Sequence, residues 1–163
     1  LCSVQHVQSA GSAFAAILQD GSVVTWGDPE FGGDSSPVQE HLRAVQHVQS
    51  SGGAFAAILQ DGSVVTWGDP ESGGDSSAVR EQLRAVQHVQ ATGGAFAAIL
   101  QDGSVVTWGD PESGGDSSAV REQLRAVQHV QATGGAFAAI LEDGSVVTWG
   151  NSEYGGDSSA VQQ

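Results

Sequence analysis

The stretch AFAAILQDGSVVTWG, residues 54–68, decides the fold of this chain. Its first six residues, Ala54–Leu59, are apolar at every position, which predicts a strand covered on both faces. Asp61 and Gly62 separate this run from the β-rich segment 63–67. An Asp-Gly pair between two such runs predicts a β-hairpin with a type I′ turn, because glycine and aspartate tolerate positive φ.

The phrase AFAAIL-x-DGSVVTWG occurs four times, starting at residues 13, 54, 95 and 136, and a GGDSS segment follows each copy. We therefore divide the chain into the repeats 1–41, 42–82, 83–123 and 124–163 of one domain. A fixed period of this size is typical of a solenoid, a propeller or an array, in which each unit covers its apolar face with a neighbour.

The remainder of each repeat is predicted to be one more strand, a loop and a short helix. In the second repeat the segment 44–49 reads AVQHVQ, and its imperfect alternation predicts a strand with a β-bulge. Glycine, proline and aspartate make 68–75 a loop. The segment 76–83 then predicts a short helix with a serine N-cap. The four tryptophans are expected in the core, where such side chains bury most area: Trp26, Trp67, Trp108 and Trp149.

These motifs resemble the repeats of the regulator of chromosome condensation family, and the repeat length is similar to its shorter-bladed branch, typified by beta-lactamase inhibitor protein II. The resemblance rests on the apolar strand, the DG pair, the V-x-x-W-G strand and the glycine-rich loop, and covers all four copies. It implies a β-propeller that binds proteins on one loop-lined face. The chain departs from the family in lacking a histidine before the apolar strand and in carrying GGDSS at the following turn.

The expected fold is therefore an all-β, propeller-type array of four units, each with about three strands and a short helix; a linear β-solenoid is the alternative. The family's closed rings usually have seven units, so four would leave apolar faces exposed. Four arrangements solve this problem: a closed ring of four, a dimer with eight blades, a linear stack, or a piece of a longer ring. Self-association or membership of a longer array is the preferred interpretation.

The charge of the chain limits its partners. The net charge is −14, and the chain contains only five arginines and no lysine. Binding to nucleic acid or to an anionic membrane requires clustered cations, so neither is expected. A protein partner is expected instead. The only cysteine is Cys2, which excludes an internal disulfide.

Catalytic and metal sites are not predicted, and no cofactor is expected. The GDSS serines and the histidine of each repeat (His6, His47, His88 and His129) show no spacing that would pair a nucleophile with a base. A ring of these histidines could hold a metal, and the loop carboxylates could attract Ca²⁺. However, the loop lacks the alternating acidic residues of a calcium site, and turn formation explains its aspartates.

The loops that follow the tryptophans are the candidate binding surface, because the copies differ there and loops carry much of protein function. Phe31 and Tyr154 replace a serine and are candidate interface anchors. The candidate partner-binding residues are Asp28, Glu30, Phe31, Asp69, Glu71, Asp110, Glu112, Glu153 and Tyr154. The sequence thus predicts a non-enzymatic protein-binding repeat module; a structural stalk of a large surface or scaffold protein is the alternative.

Overall fold

The computed structural model describes residues 3–162 and shows four three-stranded antiparallel sheets, one in each repeat. Leu1, Cys2 and Gln163 lie outside the described residues. The strands are β1 Val4–Ala10, β2 Ala13–Leu18, β3 Val23–Gly27, β4 Val45–Ser50, β5 Ala54–Leu59, β6 Val64–Gly68, β7 Val86–Ala91, β8 Ala95–Leu100, β9 Val105–Gly109, β10 Val127–Ala132, β11 Ala136–Leu141 and β12 Val146–Gly150. We call the four sheets blades 1 to 4.

Each blade has the same strand order, with the apolar strand in the centre. In blade 2 the order is β4-β5-β6, and Phe55 lies opposite Trp67 in the register. The predicted bulge is present, because the pairing of β4 with β5 shifts between Val45 and His47. Every sheet is confined to one repeat, whereas a linear β-solenoid requires strands that pair from one repeat to the next. The alternative of a solenoid was therefore wrong.

The blades pack face to face, and one apolar cluster fills each of the three junctions. The cluster between blades 1 and 2 takes Ala13, Ala15 and Ile17 from one face of β2, and it takes Phe55 and Ala57 from the opposing face of β5. Because side chains alternate along a strand, the other face of β5 is free to pack on blade 3. The prediction that the central strand is covered on both sides is confirmed for β5 and β8.

The tryptophans connect each blade to the preceding one. Trp67, Trp108 and Trp149 are each 4% exposed, and each stacks on the phenylalanine opposite it. Their indole N–H groups donate to the carbonyls of Gly32, Gly73 and Gly114 in the preceding repeat. Trp26 is 48% exposed, so its predicted place in the core was wrong. It belongs to blade 1, which has no preceding blade among residues 3–162.

The hairpin is confirmed, but its turn is not type I′. Gly62 N–H donates to the Leu59 carbonyl, and Leu59 N–H donates to the Ser63 carbonyl. Only Gly62 has a positive φ in this loop, at 83°, whereas type I′ requires a positive φ at Asp61 as well. The connection is a three-residue loop with a left-handed glycine. This conformation turns the Gly62 carbonyl toward the next blade, where it accepts from Val86 N–H at 2.9 Å.

The short helix predicted for 76–83 is present, but it is shorter than that segment, and the predicted serine cap was wrong. Ser77–Val79 is a single 3-10 turn, and the side chain of Ser76 caps nothing. Its hydroxyl pairs with the Thr66 hydroxyl at 2.8 Å, so it fastens the turn to β6. The equivalent 3-10 turns of the first three repeats are Ser36–His41, Ser77–Val79 and Ser118–Val120. Within residues 3–162, no helix is long and apolar enough to cross a lipid bilayer.

Candidate protein-binding rim

The loop after each tryptophan strand contains a 3-10 turn that the sequence did not predict. We call these segments the rim turns: Pro29–Phe31, Pro70–Ser72, Pro111–Ser113 and Ser152–Tyr154. Asp69 begins the second rim turn, where its Oδ1 accepts from Glu71 N–H at 3.1 Å. Gly73 ends it with φ +95°, a value that favours glycine. The rim turns therefore have one conformation set by their flanking residues.

The aspartates of the rim turns have a structural role. Asp28 and Asp110 accept from the backbone in the same way as Asp69. Asn151 replaces aspartate in the fourth turn and accepts from Glu153 N–H at 2.9 Å. An amide oxygen therefore serves as well as a carboxylate in this position, so local hydrogen bonding accounts for the residue type. The main role of the predicted site residues Asp28, Asp69 and Asp110 in the structure is to form these turns.

The glutamates of the rim turns are free to contact a partner. Each rim turn places one glutamate at its exposed middle position; these are Glu30, Glu71, Glu112 and Glu153. Because the four blades share one backbone conformation, the rim turns carry this row of carboxylates along the same edge of successive blades. No lysine, arginine or histidine occurs within the four turns. The structure thus places the predicted acidic residues on one rim.

Clefts separate neighbouring rim turns. A cleft of about 560 Å³ lies between the second and third turns, with Glu71 and Asp110 on its walls. A similar cleft of about 490 Å³ lies between the first and second, lined by Glu30, Phe31 and Asp69. Both are open grooves with carboxylates from two blades, a geometry that suits the long cationic side chains of another protein.

The two predicted aromatic anchors occupy different environments. Phe31 is half-buried and packs on the cluster between blades 1 and 2, close to Gly53. Tyr154 is 54% exposed and lies over Gly134 and Gly135 of its own blade. Phe31 therefore belongs in part to a junction between blades, whereas most of the Tyr154 ring is free.

The opposite rim carries a second set of aspartates, whose chemistry the sequence analysis did not assign. Asp61 Oδ1 accepts from both the hydroxyl and the N–H of Ser63, which holds the pKa of Asp61 below its usual value. The same bonds lower the pKa of the equivalent residues Asp20, Asp102 and Asp143. The D-G-S spacing could have predicted them, since aspartate commonly bonds the backbone two residues on. These carboxylates stabilise their own turns.

The candidate catalytic and metal residues are separated. Ser76 bonds to Thr66 in β6, and His47 lies in β4; these strands are opposite edges of one sheet, with β5 between them. Two strand spacings amount to about 10 Å, beyond hydrogen-bond reach. Across the described part of the chain, no three His, Cys, Asp or Glu side chains come together to hold a metal ion.

Radial three-stranded blades that pack face to face, with each tryptophan bonded to the preceding blade, define a β-propeller-type repeat. No known family profile matches the chain, and no curated protein matches its sequence. Solved structures do match it. The fold is that of the RCC1-like repeats, as the motif resemblance implied.

Three crystal structures illustrate the likeness. Yeast RCC1 (Prp20) bound to Kap60 has a TM-score of 0.66 at 14% identity, over 90% of this chain and 43% of Prp20. Prp20p from Saccharomyces cerevisiae, described with its binding properties to Gsp1p and histones, has a TM-score of 0.65 at 13% identity, over 90% of this chain and 44% of that chain. The CRINKLY WD40 ectodomain of the Arabidopsis thaliana receptor kinase ACR4 has a TM-score of 0.57 at 19% identity, over 91% and 51%. The chain thus spans about half the length of these proteins or less.

Proposed function

We propose that this chain is a non-enzymatic protein-binding module that recognises a basic partner protein with its rim turns. The observation that carries the proposal is the row of exposed glutamates at Glu30, Glu71, Glu112 and Glu153, one on each blade and all on one edge. A repeated backbone holds these charges in fixed positions. A partner with correspondingly spaced lysines or arginines would therefore meet several of them at once.

The charge distribution supports a protein partner rather than nucleic acid or a membrane. The net charge is −14, and the five arginines lie outside the rim turns. Approach of a phosphate backbone or an anionic lipid surface to this rim would be repelled, whereas a basic protein would be attracted over a Debye length of about 8–10 Å. No cofactor is part of the proposal.

The structural neighbours support the choice of class. Prp20 has been crystallised with Kap60 and is described with binding properties to Gsp1p and histones. Those partners are known for Prp20 only. They support the proposal that this shared fold presents a protein-binding rim here too. The wide separation of Ser76 and His47 supports the non-enzymatic part of the proposal.

We also propose that the module is completed by further blades, either from a copy of itself or from a longer array. The apolar faces at both ends of the arc support this part. The first blade exposes Phe14 at 43% and Trp26 at 48%, and the last exposes Ile140 at 43%. Faces of this kind on a soluble protein mark interaction sites.

Binding to a basic probe tests the rim. We would replace all four rim glutamates by glutamine and measure binding to core histones and to a lysine-rich peptide by fluorescence anisotropy at low and physiological salt. A loss of about tenfold or more in affinity and a weaker salt dependence are expected. The matched control replaces the other four glutamates, Glu40, Glu81, Glu122 and Glu142, which removes the same charge elsewhere. Equal losses in both variants would reduce the effect to net charge and reject the rim as the site.

A further inference from the structure

We propose that two copies of this chain associate head to tail, with the exposed face of blade 1 packed on the exposed face of blade 4 of the second copy, to form a closed ring of eight blades. The inference rests on the self-association part of the proposed function and is independent of the rim. Its basis is that the chain contains three copies of this junction, which show which side chains meet.

The exposed face of blade 1 has the same residues as the covered faces of blades 2, 3 and 4. Phe55 and Trp67 of blade 2 are 0% and 4% exposed, because blade 1 covers them. Their equivalents Phe14 and Trp26 form the same stack, with centroids 5.3 Å apart, yet lie 43% and 48% exposed. Val7 is 46% exposed where its equivalents are buried. Among residues 3–162, the blade 1 face therefore presents the same packing surface without a neighbour.

The exposed face of blade 4 is the matching surface. Ile140 is 43% exposed, whereas the equivalent Ile99 of blade 3 is 5% exposed beneath blade 4. A Cβ built on Gly114 would lie 2.6 Å from the ring of Phe137, so the next blade fills that space; a Cβ on the equivalent Gly155 has no atom within 4 Å. The socket that accepts a phenylalanine ring at each internal junction is thus open at blade 4.

Directional hydrogen bonds define how the two faces meet. At the junction of blades 3 and 4, Trp149 Nε1 donates to the Gly114 carbonyl at 3.1 Å. Val127 N–H donates to the Gly103 carbonyl at 2.9 Å. By the repeat, Trp26 would donate to the carbonyl of Gly155 of the second copy, and Val4 N–H to that of Gly144. A buried carbonyl and indole that pair in this way give orientation as well as affinity.

Glutamine side chains on the first strand of each blade also form hydrogen bonds between neighbouring blades. Gln8 Nε2 reaches Gln49 Oε1 at 3.3 Å, and Gln90 Nε2 reaches Gln131 Oε1 at 3.4 Å. Gln131 stands at the last blade, and the next member of the row would be Gln8 of the second copy. Each end of the row is thereby complementary to the other.

The residues at the new junction differ from the template where Ser3 replaces Ala44 and where a tyrosine would meet a serine. A Cβ built on Gly53 would lie 3.0 Å from the Phe31 ring of the preceding blade, and blade 1 has Ser12 where blade 2 has Gly53. Tyr154 is the equivalent of Phe31 and would face Ser12 of the second copy. The Tyr154 ring must therefore sit a few tenths of an ångström further out than Phe31 does.

A contact between two different faces generates a closed ring if the rotation between copies closes and an open filament if it does not, and the proposal is the ring. Two copies supply eight blades, which lies within the range of about four to eight found in propellers. Both apolar faces of each chain are then covered, so growth stops. Because each copy carries a charge of −14, mutual repulsion opposes pairing, and added salt should strengthen it.

Sedimentation equilibrium tests the stoichiometry. The wild-type chain is expected to reach twice its mass of 16.6 kDa as concentration rises, with no larger species. Trp26 is the one exposed tryptophan, so its acrylamide quenching should decline over the same concentration range. A monomer at every concentration and salt would overturn the proposal. Open-ended growth to larger species would overturn the closed ring.

Two variants test the faces separately. The head variant carries Val7→Glu and Val24→Glu on blade 1, and the tail variant carries Ile140→Glu and Val146→Glu on blade 4. All four side chains are 43–47% exposed, so each variant should fold, which circular dichroism checks. Each should raise the dimer dissociation constant by roughly a hundredfold or more. The charge-matched control, Gln46→Glu with Gln87→Glu on exposed positions of β4 and β7, should dimerise like the wild type.

Mixing the two variants is decisive, because a head-to-tail contact joins unlike faces. An equimolar mixture keeps one intact head and one intact tail, so it should form an open heterodimer with one junction, although neither variant dimerises alone. A mixture that stays monomeric would overturn the head-to-tail contact, whereas dimerisation of either variant on its own would show that like faces meet. The four-fold rim glutamine variant should dimerise normally, and the head and tail variants should still bind histones. Loss of dimerisation can therefore be distinguished from loss of histone binding by the rim.

Discussion

Trp67 Nε1 donates a hydrogen bond of 3.1 Å to the carbonyl of Gly32, a residue 35 positions earlier in the preceding repeat. Trp108 and Trp149 repeat this relationship with Gly73 and Gly114 at 3.0 and 3.1 Å. The carbonyl belongs to the glycine that ends a rim turn, so one bond connects the core of a blade to the candidate binding rim of its neighbour. The spacing of the rim glutamates therefore depends on the junctions.

Loss of this bond should destabilise the chain. Trp108→Phe removes the indole donor and leaves the Gly73 carbonyl without its partner in a buried site, which costs ~2 kcal/mol or more of unfolding free energy. Trp26→Phe is the matched control, because it makes the same change at an exposed position and should cost under about 0.5 kcal/mol. Urea unfolding of dilute protein measures both. Equal effects would contradict the role assigned to the junction bond.

The space beside Gly73, which the Phe96 ring fills, predicts a second matched pair of variants. Gly73→Ala places a methyl group 2.5 Å from the Phe96 ring and also strains a residue at φ +95°. Gly155→Ala has the same strain, at φ +99°, but meets no atom within 4 Å. We expect about 1–2 kcal/mol for Gly155→Ala from backbone strain alone, and a clearly larger loss for Gly73→Ala. Thermal unfolding of dilute samples makes the comparison, and similar losses would mean that the ring does not occupy the socket.

A buried hydroxyl gives a third test. Thr92 Oγ1 donates to the Ser113 carbonyl at 2.9 Å and accepts from Ala95 N–H at 3.0 Å, in a site that is 4% exposed. Thr133 makes the same bonds on blade 4, where it is exposed to water. Thr92→Val should cost about 1–3 kcal/mol, and Thr133→Val less, because water replaces the lost partner there. A larger cost at Thr133 in a denaturant titration would contradict this burial argument.

Acid should destabilise the fold through the turn aspartates. The hydroxyl and N–H of a serine two residues on lower the pKa of Asp20, Asp61, Asp102 and Asp143 in the folded chain. A carboxyl whose pKa is lower when folded adds stability above its unfolded pKa, about 3.9, and that stability is lost as pH falls through the folded value. The melting temperature should therefore fall below about pH 4.

Replacement of these four aspartates by asparagine keeps a side-chain oxygen for the turn and removes the titration. The loss of melting temperature between pH 5 and pH 2.5 should then be smaller than in the wild type. An unchanged dependence on pH would show that other carboxyl groups account for it.

The repeat architecture could be predicted from the sequence, because the pattern of residues 54–68 predicts the same strands that packing between blades requires. Ala54–Leu59 is apolar on both faces, and it lies between two blades as that pattern requires. The bulge in β4 was predicted from the imperfect alternation and is present between Val45 and His47. The resemblance to propeller repeats added the radial arrangement, which no pattern within a single repeat contains.

The remaining errors have physical causes. The type I′ turn was predicted from Asp61-Gly62 alone, but Ser63 bonds the Asp61 carboxylate and the Gly62 carbonyl bonds Val86, so contacts outside the pair select the loop. The serine assigned as a helix cap is instead paired with Thr66, since a two-turn helix has too little of its own stability to compete. Trp26 is exposed because burial depends on a neighbouring blade, which composition cannot reveal. The turn-forming role of the rim aspartates was predicted, but the 3-10 conformation of the turns that they begin was not.

Acrylamide quenching of tryptophan fluorescence is the most direct test of the central claim, that equal blades seal their faces against one another and leave one aromatic face open. In dilute solution one tryptophan in four, Trp26, should be accessible, and the Trp26→Phe variant should lose that accessible fraction entirely. Four tryptophans quenched alike, or an accessible fraction that persists in Trp26→Phe, would contradict the packing of the blades.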